Sequence, residues 1–363
     1  MRRTHTAIVA NNDRVLLPYS SVQPAARLRH ARLDVIPRAL IVVALAGGTA
    51  MPLPGQRPVH TYSIVARDSA TGQLGVGVQS HWFSVGPIVP WAEAGVGAVA
   101  TQSFVEPSYG PLGLELMRAG KSAPEALRAL IAGDAHPDVR QVAFVDARGA
   151  VAVHTGKKAI AAAGHRTGKG YSVQANLMLK ATVPAAMARA YATAKGDLAE
   201  RILTALDAAQ AEGGDVRGSQ SAAIVVVSGK PTGRPWADRL FDLRVEDHPR
   251  PLEELRRLVH LGRAYQHMNA GDEAVTRNDV AGAVREYGLA QRMVPDSQVN
   301  GEMAFWHAVM LASAGKVDES LPLFRRAFAQ DANWAELVKR LPAAGQLPND
   351  PGLIEKILSA SRR

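Results

Sequence analysis

The stretch from Thr61 to Ser103 constrains this chain most. It holds three runs of small and β-branched residues, at 62–66, 74–79 and 97–103. Ser69, Ala70, Thr71 and Gly72 supply a turn between the first two, which predicts a hairpin. Gly75, Gly77, Gly95 and Gly97 lie in or beside these runs. Glycine weakens a strand unless another backbone or a ligand must come close. A Thr opens the sheet, and Ser and Thr hydroxyls end the neighbouring runs. That pattern points to a nucleophile at a chain start. The hydroxyl attacks, and the residue's own freed α-amine acts as base.

Downstream, strands and helices come in blocks. Residues 107–110 read as a turn and 112–119 as a short helix. Ser122 and Glu125 have the spacing of a capping box for a helix that runs to Gly133. Residues 140–145 and 150–154 predict a second hairpin, and 165–170 a Gly-rich loop before an extended run over 171–179. Helices are predicted at 184–194 and 197–212. The loop 213–221 then leads into 222–227, an apolar run fit for a central strand, and 240–245 is a last strand. Such blocks fit an α+β fold of two sheets covered by helices on their outer faces. No Gly-x-Gly-x-x-Gly lies between a strand and a helix, which argues against a dinucleotide fold.

From Pro251 onward the pattern is helical only. Residues 278–283 with Tyr287, Ala290 and Pro295 align with residues 315–320 with Phe324, Ala327 and Ala332, an offset of 37 (278 to 315). A helix precedes each, at 255–270 and 303–314. This is a two-helix repeat of tetratricopeptide type, slightly longer than the usual ~34 residues. Two units are fewer than the roughly three that stand alone, so the repeats at 251–340 are expected to dock on the first domain or on a second copy, in a homodimer or larger homo-oligomer. Residues 341–363 read as a tail. Tyr265, Tyr287, Phe305 and Phe324 read as repeat core.

A chain of 363 residues accommodates two domains. Cysteine is absent, which excludes a disulfide scaffold, a thiolate zinc site and a Cys nucleophile. Residues 1–60 carry eight Arg against Asp13 and Asp34, so the leader holds +6 of the net charge of +9. Arg38 precedes an apolar run at 39–46 and small residues at 47–50, the layout of a secretory signal and far short of the ~20 residues of a membrane span. It predicts export to the periplasm or outside the cell; the cytoplasm is the alternative if the leader does not work. No basic stripe interleaved with aromatics argues for nucleic acid. The eleven His are scattered without metal-ligand spacing, and no cofactor motif occurs.

The opening motif, the run Tyr171-Ser172-Val173-Gln174-Ala175-Asn176 and the 213–221 loop together resemble a bacterial and archaeal family, domain of unknown function 1028, placed in the Ntn-hydrolase superfamily. The resemblance covers about 61–247, and residues 251–340 resemble the helical tail of exported relatives. It implies a four-layer αββα fold and amide cleavage, with no established substrate. Members often begin at the Thr matching Thr61, after an initiator Met or a signal peptide. Here Thr61 lies inside the chain, so its nitrogen becomes an amine only if the bond after His60 is cut, by the protein itself or by another protease.

The candidate residues follow. Thr61 is the nucleophile or an ordinary strand Thr. Ser63, two residues on, shares its face. Asn176 is an oxyanion donor or a loop-satisfying amide. Gln79, Ser80, Thr101 and Gln102 end strands where polar groups can line a cleft. Asp215 and Arg217 bind a substrate's amine and carboxylate, or each other. Gln220 enters the strand beyond. His81 is an acid–base group or a packed surface residue, and Asp68 caps a turn or orients charge near Thr61. The expected function is an Ntn-type amidohydrolase acting on a small molecule or peptide. The alternative is a non-enzymatic adaptor that recruits a protein partner through its repeats.

Overall fold

The structure, a computed structural model, describes Val59 and residues 61–360. The predicted leader, its signal-like run at 39–50 and His60 lie outside the described residues.

Two antiparallel sheets form the first part. The larger has the order β10 (Arg239–Val245), β9 (Ser221–Val227), β2 (Leu74–Ser80), β1 (Thr61–Arg67), β8 (Tyr171–Ala175) and β7 (Gly164–Gly168). The smaller has the order β3 (Pro90–Glu93), β4 (Gly97–Ser103), β5 (Arg140–Asp146) and β6 (Val151–Thr155). Period-two alternation sorts the side chains. Val65, Val76, Val78, Ala98, Ala100 and Val225 meet between the sheets. Ile64, Val173 and Ile224 point the other way, against α3 (Val183–Thr193) and α4 (Leu198–Ala211). Val99, Val142 and Phe144 pack against α1 (Tyr109–Arg118) and α2 (Ala123–Gly133) on the far face of the smaller sheet.

The strand glycines have a packing cause. A Cβ on Gly75 or Gly77 would lie 2.8 or 2.3 Å from Ile202, so the close neighbour is helix α4 and not a ligand. The capping box forms as its spacing predicts: the Glu125 carboxylate accepts from the Ser122 backbone N–H at 2.8 Å.

Two strands fall outside the sequence expectation. Strand β3 starts on Pro90, which a strand tolerates at its first residue or on a sheet edge. Strand β7, read as a Gly-rich loop, is a half-exposed edge strand with little apolar pattern.

The helical part comprises α5 (Pro251–Thr276), α6 (Val280–Met293), α7 (Glu302–Ser313), α8 (Val317–Gln330), α9 (Asn333–Val338) and α10 (Pro351–Ser359). Helices α6 and α8 are both 14 residues long and start 37 residues apart (280 to 317). Helix α5 joins this part to the larger sheet. Its Leu252, Leu255 and Val259 share a core with Phe241, Val245 and α4. Arg256 bridges Glu200 and Asp207, and Arg263 meets Asp197 at 2.7 Å. Farther on, Phe305, Phe324 and Phe328 form an aromatic core that also takes in Ile357 of α10.

Candidate functional site

Strand ends converge at one end of the sandwich. Register sets Thr61 opposite Ser80, Ser80 opposite Ser221, and Gln102 opposite Gln141. Thr61 opens β1 on the face between the sheets and is fully buried. Its hydroxyl lies 3.1 Å from the Val59 carbonyl oxygen and 3.2 Å from Ser80 Oγ. Its carbonyl accepts from Gln102 Nε2 at 3.2 Å and from the Asn176 backbone N–H at 3.1 Å, with Asn176 Nδ2 at 3.5 Å.

The amides that hold Thr61 belong to a buried network of neutral groups. Ser63 Oγ donates to Gln102 Oε1 and accepts from Gln174 Nε2, both at 2.6 Å. Ser172 Oγ donates to Gln174 Oε1 at 2.9 Å. Gln141 Oε1 accepts from Gln102 Nε2 at 2.7 Å and from Asn176 Nδ2 at 2.9 Å. Gln141 Nε2 lies 3.0 Å from the Ala175 oxygen and 3.0 Å from Thr155 Oγ1. The Thr155 hydroxyl, which accepts from Gln141, also lies 2.9 Å from His165 Nδ1. Burial first, then the charges of Arg166 and His154, hold the His165 pKa below its ordinary value.

Of the sequence candidates, the structure brings Thr61, Ser63, Ser80, Gln102 and Asn176 together. It does not bring the others to this cluster. Thr101 faces the opposite side of β4 from Gln102, and its hydroxyl donates to the Glu106 carbonyl at 3.1 Å. Gln79 lies on the helix-covered face of β2, buried, with neither amide atom hydrogen-bonded. Asp215 and Arg217 bind each other: Oδ2 accepts from Arg217 Nη2 at 2.7 Å, and Oδ1 from its Nε at 3.0 Å. Asp215 also receives the His81 backbone N–H at 3.3 Å, so the pair braces the loop. Gln220 reaches Asp247 at 3.2 Å. Asp68 sits at the far end of β1, where it caps the turn through the Ala70 and Thr71 N–H groups. Burial works against its charge, but the Thr71 and Ala70 hydrogen bonds and Arg201 hold its pKa below the usual carboxylate range.

Five members of the network were not among the candidates: Gln141, Gln174, Thr155, Ser172 and His165. A polar residue at an inward position of a strand is the signal that finds them. Register places Gln141 in the same facing set as Ala143 and Val145.

A cleft of about 740 Å³ opens on the flank beside β3 and β10, lined by Trp91, Arg118 and Arg244 among others. None of the candidate residues lines it. Among the described residues no group of three or more His, Asp and Glu could hold a metal.

The sequence pattern of a family of unknown function, DUF1028, matches residues 61–255. The crystal structure of protein SPO2555 from Silicibacter pomeroyi, assigned to DUF1028, is 27% identical. The alignment covers 59% of this chain and 92% of that one, with a TM-score of 0.50. No curated protein matches the chain. The family match takes in all ten strands, the whole Thr61 network and the first residues of α5, and on that span the chain belongs to the DUF1028 family of unknown function.

Proposed function

We propose that this protein is an amide-cleaving hydrolase of Ntn type, with Thr61 as a nucleophile unmasked when residues 1–60 are removed. The observation that carries this reading is the setting of Thr61. A hydroxyl residue at the start of a central strand is gripped through its own carbonyl by two buried amides, at the point where the leader enters. Gln102 and Asn176 are committed to that carbonyl and to Gln141, so their role in this reading is to position Thr61, not to bind an oxyanion. Ser80 Oγ, 3.2 Å from the nucleophile, is the side chain that its hydroxyl donates to.

The chemistry follows from the freed terminus. Thr61 Oγ adds to the substrate carbonyl carbon while the α-amine takes its proton. The amine returns that proton to the leaving nitrogen as the C–N bond breaks, and water then releases the acyl group from the oxygen. In the uncut chain Thr61 has an amide nitrogen and no base. In the same reading the paired sheets and helices form an αββα sandwich, and the helix pairs are tetratricopeptide-like and serve a partner or a second copy. The leader directs export.

Intact mass after cutting the chain in place before Thr61, followed by exposure to a β-lactone electrophile, tests the proposal. One adduct on Thr61 in the cut protein is expected, with none in the uncut chain or in a cut Thr61→Ala variant. No adduct on cut protein leaves the adaptor reading, in which the helical part does the work.

A further inference from the structure

Strand β3 pairs with β4 only as far as Ala100, and the Thr101 N–H reaches back to the Val89 carbonyl. Beyond that point the edge of β4 has no strand beside it. Val59 fills the gap. Its N–H donates to the Ser103 carbonyl at 2.6 Å, and its carbonyl accepts from the Ser103 N–H at 2.9 Å. Ser103 has φ +73°, a conformation that an L-residue keeps only when its surroundings fix it. Its hydroxyl is buried without a hydrogen-bond partner. The Val59 side chain is fully buried in the apolar cluster between the sheets, with Val85, Val89 and Val105. Two residues later the chain reaches Thr61 on the other sheet.

Removal of residues 1–60 therefore empties a defined place: one backbone donor, one backbone acceptor and an aliphatic slot, beside the Thr61 hydroxyl. We infer that this place is a peptide subsite, and that the substrate is an extended peptide with an aliphatic residue where Val59 lies. The peptide adds to the free edge of β4 as a short strand and presents its side chain to the slot. Resting on the reading of Thr61 as nucleophile, the inference also fixes the bond. The carbonyl of the residue after the aliphatic one is joined to the Thr61 nitrogen in the uncut chain. In a substrate that carbonyl receives Thr61 Oγ, its C–N bond breaks, and the amine-side product leaves with the proton. The uncut chain holds its own segment in the subsite and is closed to other peptides.

The described strands and helices all lie in residues 61–360, so cutting before Thr61 leaves every one of them whole. The test uses a fluorescent peptide of sequence Gln-Arg-Pro-Val-His amide, copied from residues 56–60, and fluorescence anisotropy. The full chain is cut in place and its released leader removed by gel filtration. The labelled peptide is expected to bind the cut protein, and equally the cut Thr61→Ala variant, but not the uncut chain. Methylating the valine nitrogen, or replacing that valine with glycine, is expected to weaken binding by about tenfold or more. Should the cut protein fail to fold, the intact chain carrying Val59→Asp, whose carboxylate is unfit for the slot, is expected to take the peptide in trans. Binding that ignores both peptide changes, no binding to either opened protein, or equal binding to the uncut wild-type chain overturns the inference. β-Lactone labelling of Thr61 without peptide binding sinks the subsite alone. Peptide binding without labelling leaves it standing and removes the catalytic reading.

Discussion

Gln141 sets the orientation of the amides around it. Its oxygen accepts from Gln102 and Asn176, so its nitrogen must face Ala175 and Thr155. Replacement by Leu leaves one N–H of each amide without its acceptor in a site without water-exposed surface, and the Ala175 carbonyl without its donor. Gln141→Leu is expected to destabilise the fold by about 3 kcal/mol in urea unfolding. A Ser63→Ala change removes one hydroxyl that both donates and accepts, with an expected loss of about 2 kcal/mol in the same assay. At this scale the sequence disclosed only part of the cluster. Thr61, Ser63, Gln102 and Asn176 stood at strand ends or in a recognisable run. Gln141 stood within a strand, and Gln174 stood unremarked inside the run that ends on Asn176; one polar residue among apolar ones carries no mark of which face it takes until the register is known. Asp215 and Arg217 had the right chemistry for a ligand, yet spacing of two in a tight loop lets such a pair close on itself, as it does.

Helix α5 is legible as a helix from its periodicity, but its reach is not. The change to a helix-only pattern at Pro251 suggested a boundary, whereas the first turns of α5 complete the core beneath the larger sheet. Edge strands β3 and β7 were missed because a four-residue strand opening on proline, and a strand flanked by glycines, carry too little alternation to be read. Truncating Leu255 tests the role of α5. Leu255→Ala is expected to cost about 3 kcal/mol, since the side chain is fully buried between α4 and the sheet. Helix α7 carries a second test. His307 is buried beside Tyr287, and burial first, then the charge of Arg326, pushes its pKa down to about 4. The unfolded chain binds a proton near pH 6.5 and the folded chain resists it, so stability is expected to fall as pH drops from about 6.5 towards 4 and to level off below. The loss is on the order of 3 kcal/mol. His307→Phe is expected to flatten that slope in unfolding measured across the same pH range.

At the scale of the whole molecule, the block order of strands and helices was enough to anticipate two sheets with helices outside, because each amphipathic element has one face to bury. The pairing order was beyond it: β8 lies beside β1, more than a hundred residues earlier in the chain, and only folding makes them neighbours. A chain shortened to 61–247 is expected to unfold at lower urea than 61–363 or to aggregate, as it uncovers Phe241, Val245 and the outer side of α4. The layer of hydroxyls and amides between the sheets has a consequence for spectroscopists. Ser63, Gln102, Gln141, Gln174 and Asn176 gain or lose no proton across the working pH range, and burial holds the pKa of His165, at its far end, below the ordinary value. An amine exposed at Thr61 would then change charge against a silent background. Electrophile reactivity plotted against pH is expected to rise in one step centred below the ~8 of an ordinary α-amine, because desolvation disfavours the ammonium form. A second inflection in that curve would mark a titrating partner to the amine beyond the amides and hydroxyls of this layer.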